Sequence, residues 1–177
     1  MKKILASLAL GLSISLVPFA ASAHGPSPQK VEKTVTIKAD PAKVWAIVKN
    51  FSDMSWHPGV ASTKVEKKGG DTFRTLTFKD GGNVYEKLRS TDDASMKVKY
   101  EIVSGTLPLT DYNASIAVEK GDKPGESKVV WVGRFYRLYK LNPPIPAGQD
   151  DATAVKAITD IFDSGLANLQ KVAEGSK

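Results

Sequence analysis

Apolar and polar residues alternate along most of the chain, and in two stretches apolar residues instead recur at helical spacing. Residues 30–38 alternate and are predicted to form a strand. Asp40 followed by Pro41 is typical of a helix start, and apolar residues continue at helical spacing as far as Phe51. Residues 52–58 break this pattern and are predicted to form a turn-rich link.

A meander of strands follows this link. The strands are separated by glycine-rich or acidic turns, as expected for antiparallel neighbours. A long antiparallel sheet has an apolar face that needs a cover, and one long helix at the end of the chain can supply it, so the pattern predicts an α+β arrangement. Alternation predicts strands over residues 60–67, 72–79, 83–91, 96–103, 111–120 and 127–140.

The C-terminal segment is predicted to form this helix. Asp150 and Asp151 place negative charge at its start, where the helix dipole favours it. Gly165 lies on or beside the apolar stripe, although a glycine inside a helix costs about 1 kcal/mol relative to alanine. The glycine provides either close packing or room for a ligand. The stripe recurs at steps of three and four residues and comprises Val155, Ile158, Phe162, Leu166, Leu169 and Val172.

The first residues have the pattern of a secretory signal peptide. Residues 1–3 are positively charged, residues 4–19 are apolar and uncharged, and residues 21–23 are small, as a cleavage site requires. An uncleaved anchor is the alternative interpretation. This pattern predicts cleavage after Ala23 and export to a bacterial periplasm. The mature protein would then have no membrane span. The mature chain would consist of a flexible N-terminal arm, 24–29, and a single domain, 30–177.

Composition removes several classes of function. The chain of 177 residues has no cysteine and only two histidines, which excludes disulfides and cysteine-based metal or redox sites. Two of the 25 Lys and Arg residues lie in the signal, so the mature chain would carry 23 against 19 acidic residues, a net charge of +4. This charge is diffuse, which argues against nucleic acid. No phosphate loop, dinucleotide fingerprint or nucleophile elbow is present in the sequence, and no cofactor is expected.

One hairpin is predicted to place a charged pair on an apolar face. If residues 80–82 form a three-residue loop, Leu76 faces Glu86 and Arg74 faces Leu88, and the apolar sets of both strands share one side. Arg74 and Glu86 are then diagonal neighbours on the inward face. They form either a buried salt bridge or polar patch in a cavity, or a pair at the solvated end of the sheet.

Other residues are predicted to point inward with this pair. In the last strand, Trp131, Gly133 and Phe135 are assigned to the inner face, and Arg134 and Tyr136 to the outer face. The candidate residues for a ligand cavity are Trp56, His57, Arg74, Glu86, Tyr100, Tyr112, Trp131 and Phe162.

Trp56 and His57 lie in the link after the first helix. They form either a pair at a cavity mouth, or a loop histidine bonded to backbone beside a tryptophan that closes one end of the core. A weaker alternative is a copper site, because cleavage would place the amine and imidazole of His24 at the N-terminus with His57 as a further ligand. No other metal site and no catalytic residue is predicted.

The order of elements resembles the SRPBCC superfamily, which includes START, birch-pollen-allergen and polyketide-cyclase-like proteins. Residues 35–45, 56–60, 84–88 and 150–173 carry the resemblance. It implies the helix-grip fold, in which a curved, mostly antiparallel seven-stranded sheet wraps around a long C-terminal helix and a short helix pair follows the first strand. It also implies a cavity for a small apolar ligand.

A narrower resemblance is to the MxaD-type periplasmic proteins of methylotrophic bacteria. Residues 24–26, 131–136, 139–145 and 148–151 carry it. It implies a non-enzymatic accessory role in methanol oxidation, with methanol dehydrogenase, its cytochrome c acceptor, or both as partners. The residues expected to contact a partner are Arg134, Arg137 and Tyr139, which are predicted to point outward, together with Pro144 and Ile145.

Two other functions stay open. The first is a carrier or sensor of a small hydrophobic ligand held between sheet and helix. The second is an enzyme of cyclase or aromatase type, with Glu86 or His57 as general base.

Overall fold

The structure, a computed structural model, describes residues 25–175. The predicted signal peptide, 1–23, and His24 lie outside these residues. The strands are β1 (Gln29–Ile37), β2 (Val60–Lys68), β3 (Asp71–Phe78), β4 (Asn83–Asp92), β5 (Lys97–Gly105), β6 (Leu109–Lys120) and β7 (Ser127–Arg137). The helices are α1 (Pro41–Val48) and α2 (Asp151–Glu174).

All seven strands form one antiparallel sheet in the order β1-β7-β6-β5-β4-β3-β2. The apolar stripe of α2 packs against the inner face of this sheet, which confirms the α+β helix-grip fold. No helix among the described residues is long and apolar enough to cross a membrane.

A single helix, α1, follows β1 where a pair of short helices was expected. Asp40 caps its start by accepting a hydrogen bond from the backbone N–H of Ala42 at 2.8 Å. In the turns beyond it, the side chain of Asn50 accepts from Ser52 N–H and that of Asp53 from Ser55 N–H. Such local bonds compete with helix hydrogen bonding, so the chain turns instead of forming a second helix.

The buried face of α2 differs at its ends from the predicted stripe. Val155 is only half-buried and Val172 is 46% exposed, whereas Ala154 and Ala173 are fully buried. The predicted stripe has a three-residue step at each end of the helix. The buried residues instead follow four-residue steps, from Ala154 to Ile158 and from Leu169 to Ala173.

The β3–β4 hairpin has a different register from the predicted one. Leu76 pairs with Val84 and Arg74 pairs directly with Glu86. The loop comprises residues 79–81 instead of 80–82, with Gly81 at a φ of 90°. Moving the loop by one residue shifts the register by two, which keeps every side chain on its predicted face.

Arg137 was predicted to point outward, and this was wrong. Strand β7 alternates, so Trp131, Gly133 and Phe135 face inward as predicted, and Arg137 falls on the same buried side. Its guanidinium donates to the carbonyl oxygens of Tyr139 and Leu141, at 2.8 and 3.2 Å, and to Asp151 Oδ2 at 3.0 Å. It therefore ties the loop after β7 to the start of α2.

Candidate functional site

A small cavity lies between the inner face of the sheet and α2. Its volume is about 30 Å³, which is room for one or two water molecules. One end is polar, and the rest of the wall is aliphatic and aromatic. The lining residues are Met54, His57, Val60, Arg74, Leu76, Phe78, Val84, Glu86, Tyr100, Ile102, Leu107, Tyr112, Trp131, Ile158 and Ile161.

An ion pair forms the polar end of the cavity. Arg74 Nε donates to Glu86 Oε2 at 2.6 Å, and the two side chains are only 4% and 5% exposed. Arg74 Nη1 also donates to the carbonyl oxygen of Phe51 at 3.2 Å, and the guanidinium carbon lies 4.1 Å from the centre of the Phe51 ring. The pair is therefore buried in the cavity wall, and the alternative of a solvated sheet end is wrong.

Burial and pairing with Arg74 act in opposite directions on the pKa of Glu86. Desolvation raises the pKa of its carboxyl group, and the adjacent Arg74 guanidinium lowers it, with burial the larger effect. A buried carboxylate of this kind depends on its cation, because loss of the cation leaves an uncompensated charge in a medium of low dielectric constant.

Two tyrosines extend the polar end towards β6. Trp131 Nε1 donates to the hydroxyl oxygen of Tyr100 at 2.9 Å, and the rings of Tyr100 and Tyr112 lie 6.2 Å apart. Burial raises the pKa of both hydroxyl groups, so both stay protonated at neutral pH. They can serve as neutral hydrogen-bond donors and acceptors for a small polar group.

Aromatic rings occupy most of the space beneath α2. Trp131 and Phe162 stack with ring centres 4.1 Å apart. Gly133 makes room for them, since a Cβ there would lie 3.1 Å from both Phe162 Cζ and Tyr112 Cε2. Phe162 lies behind Trp131 and does not line the cavity, contrary to the prediction.

His57 joins the link after α1 to the middle of α2. Its Nε2 lies 2.9 Å from the carbonyl oxygen of Ile161, and its Nδ1 accepts from the backbone N–H of Gly59 at 3.1 Å. These partners assign the neutral tautomer with the proton on Nε2. Burial lowers the pKa of the ring, and the hydrogen bond to the carbonyl oxygen of Ile161 only partly opposes this effect.

The structure decides between the alternatives left open for His57, Trp56 and Gly165. His57 is the backbone-bonded loop histidine, and it also lines the cavity. Trp56 is buried beside Trp131, with ring centres 5.8 Å apart, and does not line the cavity. Gly165 provides close packing, because a Cβ there would lie 2.6 Å from His57 Cδ2 and 2.9 Å from Trp131 Cζ3.

An open pocket of about 310 Å³ adjoins the inner cavity. We call it the vestibule; it lies between the β3–β4 turn, the β5–β6 connection and α2. The side chains common to both spaces are His57, Phe78, Leu107 and Ile161. These four residues therefore form the wall between the inner cavity and the vestibule.

The apolar residues that line the cavity were not identified as cavity residues from the sequence. Leu76, Val84 and Phe78 were assigned to the correct face of their hairpin, and this assignment alone could have identified them as cavity residues. Leu107 lies in the irregular connection between β5 and β6, where no periodicity indicates its direction.

The chain matches a known protein family over residues 28–174, described as polyketide cyclase / dehydrase and lipid transport. The chain belongs to this family. No curated protein matches the sequence.

Several solved structures share the fold of this family member. A protein named XoxI from Bacillus cereus is 26% identical, with a TM-score of 0.69, over 81% of this chain and 94% of that one. An uncharacterised protein from Bacillus thuringiensis has the same identity and TM-score and is covered over 98% of its length. A START superfamily protein from Mycobacterium smegmatis is 12% identical, with a TM-score of 0.63, over 84% of this chain and 99% of that one. The family and these folds support membership of the SRPBCC superfamily.

The match to the polyketide cyclase / dehydrase and lipid transport family suggests a ligand-binding or cyclase-type protein. A space of about 30 Å³ cannot hold a lipid chain or a polyketide unless the side chains around it move. Within the cavity wall, Arg74 bonds to Glu86 and Trp131 bonds to Tyr100.

The described residues of this family member contain no group of three or more His, Asp and Glu side chains arranged for a metal. The copper alternative involved His24, which lies outside the described residues, and His57. Because both ring nitrogens of His57 bond to backbone groups, binding copper would require this histidine to leave its place.

The residues expected to contact a partner have different degrees of exposure in this family member. Arg134 and Pro144 are exposed, Tyr139 and Ile145 are half-buried, and Arg137 is buried. Arg137 is therefore not available for direct contact with a partner, and it holds the loop that carries Tyr139, Pro144 and Ile145.

Proposed function

We propose that the protein is a non-enzymatic periplasmic accessory protein of methanol oxidation. It would promote the encounter of methanol dehydrogenase with its cytochrome c acceptor. The observation that carries the proposal is the filled interior: about 30 Å³ remains between sheet and helix, so the outer surface offers the larger area for recognition. The periplasmic location rests on the signal-peptide pattern of residues 1–23.

The geometry of the two candidate bases favours binding over catalysis. Glu86 accepts a short hydrogen bond from Arg74, and both ring nitrogens of His57 are bonded to backbone groups. A general base needs hydrogen-bond access to the proton that it removes. Both groups would have to give up their present partners before acting on a substrate.

Two of the segments that carry the MxaD-type resemblance lie next to each other along the chain. Residues 131–136 belong to β7, and residues 139–145 belong to the loop that follows it. Arg137 ties this loop to α2 through two carbonyl oxygens and Asp151. A loop held in this way presents Tyr139, Pro144 and Ile145 in one arrangement, which reduces the entropy lost on binding.

Cytochrome reduction by methanol dehydrogenase tests the proposal. We expect the protein to increase the initial rate at low ionic strength and to lose this effect as salt is added, because electrostatic steering acts mainly on association. A basic protein of similar size and net charge is the control for non-specific effects of charge. The proposal is abandoned if the rate is unchanged at every ionic strength, or if the control protein has the same effect.

A second candidate function is the binding of a small, mainly apolar ligand in the inner cavity. The observation that favours it is the vestibule, which shares four lining side chains with a space that contains an ion pair and two tyrosine hydroxyls. Native mass spectrometry of freshly purified protein tests it. A ligand mass that recurs between preparations supports this function, and a bare mass that persists on titration with short-chain carbonyl compounds and fatty acids opposes it.

A further inference from the structure

The outer face of the sheet has a shallow basin at its centre. Ser115 of β6 pairs with Lys99 of β5 on one side and with Val132 of β7 on the other, and Asn113 of β6 pairs with Arg134. Strand β6 contributes the short side chains of Asn113 and Ser115, while β5 contributes Lys99 and β7 contributes Arg134. We call this basin of about 180 Å³ the basic trough; its lining residues are Lys99, Asn113, Ala114, Ser115, Val132 and Arg134.

Two acidic residues near the trough are paired with other cations. Glu101 pairs with Arg89 at 3.3 Å, and Glu32 pairs with Lys30 at 2.5 Å. Lys30 is the main cause of the lowered pKa of Glu32; Arg134 makes a smaller electrostatic contribution and forms no ion pair with Glu32. Among residues 25–175, neither Lys99 nor Arg134 has a carboxylate partner. Two exposed cations therefore flank a floor of hydrogen-bonding groups.

The spacing of these cations suits a carboxylate. Adjacent strands lie about 4.8 Å apart, so Lys99 and Arg134, which are separated by β6, have backbones on the order of 10 Å apart. Both long side chains can then reach an anionic group held above Ser115. The Asn113 amide and the Ser115 hydroxyl supply hydrogen-bond donors beside it.

We propose that the basic trough is the docking surface for an acidic segment of a protein partner, with a carboxylate side chain seated between Lys99 and Arg134. This inference rests on the proposed function, since it assigns a surface and a charge to the partner contact. The expected partner contact then comprises a patch on the outer face of the sheet as well as the loop residues that follow β7. Charge complementarity of this kind steers association and fixes the register of a complex.

Paired charge reversals test the trough. The variant Lys99→Glu/Arg134→Glu changes the two cations, and Lys67→Glu/Lys68→Glu makes the same change in net charge at two exposed lysines near the end of β2. Binding of each protein to methanol dehydrogenase and to the cytochrome c is measured by surface plasmon resonance at low and moderate salt. We expect the trough variant to bind one of these partners about tenfold more weakly and the β2 variant to bind as the original chain does. Equal losses in both variants, or no loss in the trough variant, would overturn the proposal.

A peptide probe separates failure of the trough from failure of the proposed function. An acetylated peptide of alternating glutamate and serine is titrated into the labelled protein, and amide shifts are followed by NMR. Shifts confined to residues of β5, β6 and β7 around the trough, and lost in the trough variant, support an acidic-segment site even if methanol dehydrogenase does not bind. If inorganic phosphate at the same charge concentration gives the same shifts, or if the shifts are spread over all lysines, the trough is not a site for an acidic segment.

Discussion

His57 packs directly against Gly165, with a hypothetical β-carbon at position 165 only 2.6 Å from the Cδ2 atom of the histidine ring. The first prediction concerns this contact. Gly165→Ala gains about 1 kcal/mol of helix propensity, but overpacking a filled core costs about 1–3 kcal/mol. The displaced ring also loses its bonds to Ile161 and Gly59. We expect a net loss of unfolding free energy of about 1 kcal/mol, measured by urea denaturation.

A double-mutant cycle provides the control for this contact. In the His57→Ala background the 2.6 Å contact with the histidine is absent and the 2.9 Å contact with Trp131 Cζ3 remains, so Gly165→Ala should destabilise the protein less than it does in the original chain. If the alanine has the same effect in both backgrounds, the cost does not arise from the histidine contact.

A second prediction concerns the pH dependence of stability. Burial lowers the pKa of His57 below its ordinary value of 6.5, so near pH 6 the native protein binds fewer protons than the unfolded chain. The stability due to neutral His57 is complete above that ordinary value and is lost as the pH falls from there towards the lower native pKa. Urea denaturation at several values between pH 5 and about 7.5 measures this slope.

The variant His57→Gln isolates this effect. Glutamine can still bond to the backbone but does not titrate in this range. Glu86, whose pKa burial raises, contributes the opposite slope, and both proteins share that contribution. A pH slope that is the same in both proteins would exclude His57 as its source.

The buried ion pair gives a third prediction. Arg74→Met removes the cation and leaves Glu86 buried without its partner, which should cost about 3–5 kcal/mol of unfolding free energy. The double variant Arg74→Met/Glu86→Leu should be more stable than Arg74→Met alone, because no uncompensated charge remains. Chemical denaturation of the single and double variants at neutral pH measures the coupling. Additive losses would mean that the two groups do not stabilise each other.

The fold was predictable because it depends on patterns that a sequence records. Alternation identified the strands, and the shift of the β3–β4 register by two residues still left Arg74 and Glu86 on the inner face. Direct pairing of the two residues was not predictable, since a loop of residues 79–81 or of residues 80–82 places the same residues inside.

The candidate site was less predictable, because it depends on contacts between distant elements. The contact of His57 with Gly165 brings together the link after α1 and the middle of α2, and neither segment records the other in its sequence. Arg137 was misassigned although simple alternation from Phe135 places it inside. Leu107 has no periodic neighbours, so only the folded chain indicates that it separates the cavity from the vestibule.

The fourth prediction concerns this separation. Leu107 is half-buried and faces both spaces, so Leu107→Ala should join the inner cavity to the vestibule. An opened apolar space of this kind takes up small apolar molecules such as xenon or benzene. We expect xenon-induced NMR shifts at cavity residues such as Val84 and Ile158 to increase in the variant. Leu138→Ala is the control, because Leu138 is 41% exposed and lies outside the cavity wall. If both variants respond to xenon as the original chain does, the wall closes around the smaller side chain and Leu107 is not the residue that keeps the interior shut.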